Sequence, residues 1–199
     1  MTRHPDLRPA ARDVRGLLER VADRQLDAPT PCPDYTVAQL IGHIAGFCAG
    51  FRDAARKDFG PTTDSDPGAF VPEPPADWRD LLPVLLGEMS DAWCGAQAWE
   101  GETVAGGVTL PAAAAGRFAL NELLVHGWDL ARATGQDYGP AEPGLRAAIT
   151  LLSDVRAASG DAADGSGPFG RPVPVPAAAP PLDRLLGLTG RDPAWSPPR

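Results

Sequence analysis

The sequence predicts an all-α protein, and three observations carry that expectation. Apolar residues recur at three- and four-residue steps in five segments, the period of helices that bury one face. Helix start and stop residues flank these segments where caps are needed. No segment makes a convincing strand.

Leu7, Ala11, Val14, Leu17, Leu18 and Val21, with charges between them, predict a first amphipathic helix. The second follows the turn-forming Pro29-Thr30-Pro31-Cys32-Pro33-Asp34, with Thr36 as N-cap and Gln39 completing a capping box. Its buried stripe is Val37, Leu40, Ile41, Ile44, Phe47, Cys48 and Phe51. Gly60 to Ala76, rich in Pro, Gly and Asp, reads as a long surface connection. A third helix carries Leu81, Leu82, Leu85, Met89 and Trp93. Proline suits only a first turn, so either Asp80 is the N-cap or the helix kinks at Pro83, and both remain open. The fourth helix starts near Pro111 or Ala112 and stops at Gly135, a favourable residue just past a helix end. Leu145, Ala148, Ile149, Leu152 and Val155 mark a fifth, closing before Gly160. Asp161 to Pro181 is an irregular Gly, Ala and Pro tract, followed by a helical turn at Leu182 to Leu188. There is no internal repeat. The expected organisation is one domain over residues 1–199, with 160–199 an irregular extension packed on a helical bundle.

Composition narrows the function classes. A net charge of −8 and a pI near 4.8, with no basic stripe, disfavour nucleic acid and anionic membranes as partners. No apolar run reaches the length of a membrane span, and charge occupies the start of the chain where a signal peptide would be apolar. A cytoplasmic protein with small-molecule or protein partners is expected. Cys32, Cys48 and Cys94 are widely spaced and lack any C-x-x-C, so reduced thiols are the reading. The 17 arginines against one lysine, Lys57, reflect a GC-rich genome.

Glu122 and His126 speak most directly about chemistry. A four-residue helical step places carboxylate and imidazole side by side, where they can share a metal ion. Asp129 continues the stripe and can orient the imidazole. Of the other histidines, His4 lies in a terminal stretch expected to fray, whereas His43 falls mid-helix and is the natural third ligand. Two nitrogens and one carboxylate oxygen suit zinc or a similar divalent ion, and three protein ligands leave a position open for water or substrate. The competing reading is a hydrogen-bonded polar network without metal.

Thr30-Pro31-Cys32-Pro33-Asp34-Tyr35-Thr36-Val37 with Leu40-Ile41-Gly42-His43, and Glu122 through Ala131 with Ala133-Thr134-Gly135, resemble the metal-binding domain of mycothiol-dependent maleylpyruvate isomerase, within the DinB-like four-helix-bundle superfamily. The tail, Phe169-Gly170-Arg171-Pro172-Val173 through Leu182-Asp183-Arg184-Leu185-Leu186, is similar to the ending of short actinobacterial relatives. The resemblance covers nearly the whole chain. It implies an all-α DinB-like bundle with additional short helices and an irregular Pro/Gly-rich C-terminal segment. It also implies a divalent metal, usually zinc, on His43, Glu122 and His126, with Asp129 supporting a ligand, and mycothiol as cosubstrate. Nickel can replace zinc in recombinant protein.

The isomerase has a second C-terminal domain that helps form its active site, for which this chain has no room, so isomerisation is not expected. The expectation is a metal-dependent transferase that joins a mycothiol-type thiol to an electrophilic substrate. The alternatives are a non-catalytic metal protein with a structural or sensing role and a metal-free interaction module. The substrate, the catalytic residues and the choice of monomer or homodimer are left open.

Other motifs are declined. Gly165 to Gly170 matches G-x-G-x-x-G, but no buried strand precedes it and prolines follow. There is no G-x-S-x-G. Cys32, between two prolines, reads as a structural thiol. Tyr35 and Trp128 read as packing, and Arg132 as exposed or ion-paired.

Overall fold

The stripe from Leu7 to Leu18 forms helix α1 (Arg8–Leu18), with Pro9 in its first turn, where the missing N–H would have been unpaired anyway. The structure, a computed structural model, describes residues 4–65, 72–159 and 169–198. Helix α2 (Val37–Arg56) opens with the expected capping box. The Gln39 N–H donates to Thr36 Oγ1 at 3.3 Å, and the Thr36 N–H donates to Gln39 Oε1 at 2.8 Å.

The connection after α2 is less irregular than expected, because Pro61–Asp64 form a short helix, α3, with Thr63 buried. Residues 66–71 of that connection lie outside the described part. Helix α4 (Trp78–Ala92) begins before Asp80, so Asp80 sits in the first turn and is not the N-cap. Pro83 therefore lies inside the helix, where it removes one main-chain hydrogen bond.

The expectation of no strands is corrected. Strands β1 (Glu102–Ala105) and β2 (Val108–Pro111) form an antiparallel hairpin with Thr103 opposite Leu110 and Ala105 opposite Val108. Gly106 and Gly107 have φ of 61° and 75°, the left-handed values that a two-residue hairpin loop of the primed type requires. The hairpin is tied to the helices by Thr103 Oγ1, which donates to the Ala54 carbonyl at 2.6 Å, and by the Gly107 N–H, which donates to the Thr63 carbonyl at 2.9 Å.

Helix α5 (Ala112–Thr134) ends at Gly135, φ 69°. Helices α6 (Glu142–Ser159) and α7 (Pro181–Leu188) follow. Four of the helices form the bundle: α1 and α2 each pack against both α4 and α5. Its centre is filled by Leu17, Leu40, Ile41, Ile44, Leu82, Leu86, Met89, Leu120, Leu123, Leu124 and Leu130, all fully buried. Each such side chain contributes about 1.5–3 kcal/mol relative to exposure. Helix α6 packs outside α5, and α7 packs on α6. Gly165–Pro168 of the glycine motif lie outside the described residues. No helix among the described residues is long and apolar enough to cross a membrane.

Near its C-terminal end α2 carries a polar cluster. Asp53 accepts from Arg52 Nε at 2.7 Å and from Thr62 Oγ1 at 2.7 Å, while Arg52 Nη1 reaches Glu88 at 2.8 Å. These bonds tie α2 to α3 and α4. The last segment is held equally firmly. Arg156 donates to the carbonyls of Leu188 and Gly170 at 2.9 and 2.6 Å, and Arg132 Nε donates to the Trp195 carbonyl at 3.2 Å.

Candidate metal centre

The Thr36 cap fixes the start of α2 and thereby sets His43 two turns in, on the side facing α5. Glu122 and His126 lie one turn apart on α5, where all residues from Ala119 to Ala131 except Glu122 are buried. The two helices bring the three predicted residues to one place: one donor atom from each of His43, Glu122 and His126 lies within 4.8 Å of the others. Glu122 Oε2 is 3.3 Å from His43 Nε2 and 3.2 Å from His126 Nε2. His4 is elsewhere, stacked on Trp99 with ring centroids 4.4 Å apart.

Asp129 is fully buried, and its Oδ2 accepts from His126 Nδ1 at 2.9 Å. The same oxygen accepts from Arg191 Nη2 at 3.1 Å. Arg191 comes from the C-terminal segment and was not singled out in the sequence. The signal available there was only the run Gly190-Arg191-Asp192, since nothing local says which residue a tail arginine meets. Asp129 Oδ1 and Arg191 Nε are buried without a hydrogen-bond partner among the described residues. Aromatic rings line the histidines: Tyr35 lies 5.2 Å and Phe47 5.7 Å from the His43 ring.

Electrostatics explain the protonation this cluster adopts by itself. Burial works against charge on Glu122, but hydrogen bonds from His126 and His43 overcome it and hold its carboxyl far below the usual range. Burial also opposes charge on His126, and Asp129 and Glu122 outweigh that, raising it to about 9. His43 is lowered by burial, with Glu122 opposing only in part. Arg191 loses by burial and gains more from Asp129, so it stays charged.

The donor set fits a divalent ion. A tetrahedral site with bonds of about 2.0–2.2 Å spaces its donors about 3.3–3.6 Å apart, close to the 3.3 and 3.2 Å that separate Glu122 Oε2 from the two histidine nitrogens. A neutral His126 that donates Nδ1–H to Asp129 turns a lone pair from Nε2 toward the Glu122 oxygen. Without a cation between them, a second proton on His126 relieves that opposition.

Cys32, Cys48 and Cys94 are free thiols. Burial pushes Cys32 up to about 11, Arg191 opposing only partly, so it is protonated at neutral pH. Trp128 is buried in α5, and Arg132 is exposed and engaged with the Trp195 carbonyl. Two shallow surface depressions lie between α1 and α4, and none of their lining residues belongs to the polar cluster.

Comparison with known proteins bears on the fold and the family. A solved structure of mycothiol-dependent maleylpyruvate isomerase shares the fold with a TM-score of 0.53 at 18% identity, covering 74% of this chain and 65% of that one. A histidine-to-alanine mutant of that isomerase gives 0.52. The chain thus spans just under two thirds of the isomerase. Two uncharacterized proteins of Mycobacterium tuberculosis, from strains CDC 1551 / Oshkosh and ATCC 25618 / H37Rv, are each 31% identical over 185 residues. The match covers 88% of this chain and 90% of theirs. The family model for the mycothiol maleylpyruvate isomerase N-terminal domain matches residues 7–131, which include α1, α2, α4 and most of α5 with all three donor residues. The chain therefore belongs to the mycothiol maleylpyruvate isomerase N-terminal domain family.

Proposed function

We propose that His43, Glu122 and His126 hold a divalent metal ion, best matched by zinc, and that the protein is a transferase joining a low-molecular-weight thiol of the mycothiol type to an electrophile. The observation that carries this reading is the convergence of two imidazole nitrogens on one carboxylate oxygen at 3.2 and 3.3 Å. Family membership supports the choice of thiol. A bound divalent ion would supply a Lewis acid that keeps a thiol sulfur in its thiolate form at neutral pH.

The chain's own residues do the rest. Asp129 holds His126 by Nδ1, so that Nε2 faces the ligand position. Three protein donors leave a position free for an exchangeable ligand. The side chains of Glu122 and His43 are 22% and 12% exposed, so the cluster is open to solvent on that side. Tyr35 and Phe47 flank His43 and limit the water around it. Cys32, protonated at neutral pH, is a poor internal nucleophile, so the sulfur comes from outside. The C-terminal extension is taken as part of the same domain, and isomerisation itself is not proposed.

Cobalt substitution tests the reading. Thiolate ligation gives cobalt an intense charge-transfer absorption that oxygen ligands do not, so adding a mycothiol-type thiol should produce that band and release a proton. Thiol consumption with an electrophile should then depend on both histidines and Glu122. A cobalt-loaded protein that is spectrally silent to every small thiol, yet melts higher than the metal-free chain, would replace this reading with a structural metal.

A further inference from the structure

We propose that Arg191 is a positioning residue of the metal centre: by gripping Asp129 it fixes the carboxylate that orients His126, so metal retention depends on docking of the C-terminal segment. This rests on the metal reading above.

The first support is where Arg191 points. Asp129 Oδ2 receives two donors, His126 Nδ1 at 2.9 Å and Arg191 Nη2 at 3.1 Å, while Oδ1 has no partner among the described residues. Rotation of the carboxylate is thus resisted from two directions, and one of these is the tail. The Asp129 side chain is fully buried and that of Arg191 is 13% exposed, so neither swings freely into solvent.

The second support is how the tail is held. Arg191 follows Gly190, whose φ of 82° makes the turn, and a Cβ there would meet the Gly170 backbone at 2.9 Å. The Arg191 N–H donates to the Leu186 carbonyl at 2.9 Å, and Arg191 Nη1 donates to the Thr189 carbonyl at 3.2 Å. Arg156 fixes Leu188 before it and Arg132 fixes Trp195 after it. A backbone pinned on both sides delivers the guanidinium to one place. A buried ion pair is weak evidence for stability, and setting register is its better-attested use. Here the register set is that of a ligand imidazole.

Coupling of this kind is reciprocal: if the docked tail strengthens metal binding, bound metal must strengthen docking. Two measurements read the two directions. Zinc affinity, by competition with a chromophoric chelator, should fall roughly 10- to 100-fold in Arg191→Met, the usual effect of removing a group that supports a ligand. It should recover in part in Arg191→Lys, with helical circular dichroism unchanged. In the wild-type chain zinc should slow amide exchange across residues 185–195, and it should do so much less in Arg191→Met. Zinc affinity in Arg191→Met within twofold of wild type overturns the proposal. So does wild-type exchange at 185–195 that zinc leaves unchanged, a readout that needs no variant to fold. A wild-type chain that takes up no zinc overturns the metal reading as well. Zinc binding abolished by His43→Ala and untouched by Arg191→Met overturns the role of Arg191 alone.

Discussion

Helix α2 carries two polar clusters ten residues apart, and they are built on opposite plans. At Arg52 and Asp53 each charge has found its opposite: both carboxylate oxygens of Asp53 accept a hydrogen bond, and the guanidinium bridges to Glu88. At His43 one Glu122 oxygen serves two imidazole nitrogens at distances long for a charged hydrogen bond, and Asp129 Oδ1 has no partner among the described residues. The first cluster is complete as it stands and joins helices. The second gathers three possible metal donors around a point, and the proposed cation would complete it. Polar burial by itself therefore does not mark a functional site, whereas incomplete polar burial calls for an explanation, which the proposed metal would supply.

Substitutions in the two clusters should separate along this line. His126→Ala should abolish zinc uptake while helical circular dichroism persists, since alanine suits a helix interior; metal content equal to wild type would remove His126 from the site. Asp129→Asn should weaken zinc by roughly 10- to 100-fold, because it disturbs the orientation of one ligand without deleting it. Asp53→Asn, in the completed cluster, should cost about 1–3 kcal/mol of stability in a denaturant titration and leave zinc stoichiometry unchanged. Loss of zinc there would break the distinction. Thr36→Ala, which removes the cap that sets His43 in place, should cost about 1 kcal/mol and alter zinc affinity least.

Between pH 6.5 and 9 the His126 contribution should act on the metal-free and loaded forms with opposite sign. His126 is raised to about 9, so in metal-free protein its contribution is full below its ordinary value of 6.5 and is lost as pH rises toward 9. Glu122 is depressed, so its contribution is present above its ordinary value and is lost in acid. His43, also lowered, favours the folded state above 6.5 and less so below it. Zinc must displace the His126 proton, so the rise in melting temperature on adding zinc should grow from pH 6.5 to 9. A rise that shrinks across that window would argue against His126 as a ligand.

Much of this was legible in the sequence because its causes are local. The α2 cap lies within four residues, and the α5 stripe declares its own geometry through the helical period. The hairpin was missed although Gly106-Gly107 between Thr103-Val104 and Thr109-Leu110 is a recognisable loop signal, because strands of four residues show little alternation. The start of α4 stayed open in the sequence because local rules alone do not decide between an N-cap at Asp80 and a proline inside the helix. Burial of Trp78, Leu82, Leu85, Leu86 and Met89 outweighs the roughly 3 kcal/mol that an interior proline costs. Arg191 was not legible at all: its partner lies 62 residues away, and only the packed fold brings them together.

That separation also has a meaning in time. A chain made at about 5–20 residues per second delivers Arg191 about 3–12 s after Asp129, when all four bundle helices are already available to pack. During that interval His126 is the only described partner of the Asp129 carboxylate yet made, so that carboxylate gains its second donor only after the bundle helices are complete. Pulse proteolysis of arrested nascent chains should find the end of α5 cut more readily before residue 191 is free to fold back than after. The polar centre is thus completed after the helices that carry it.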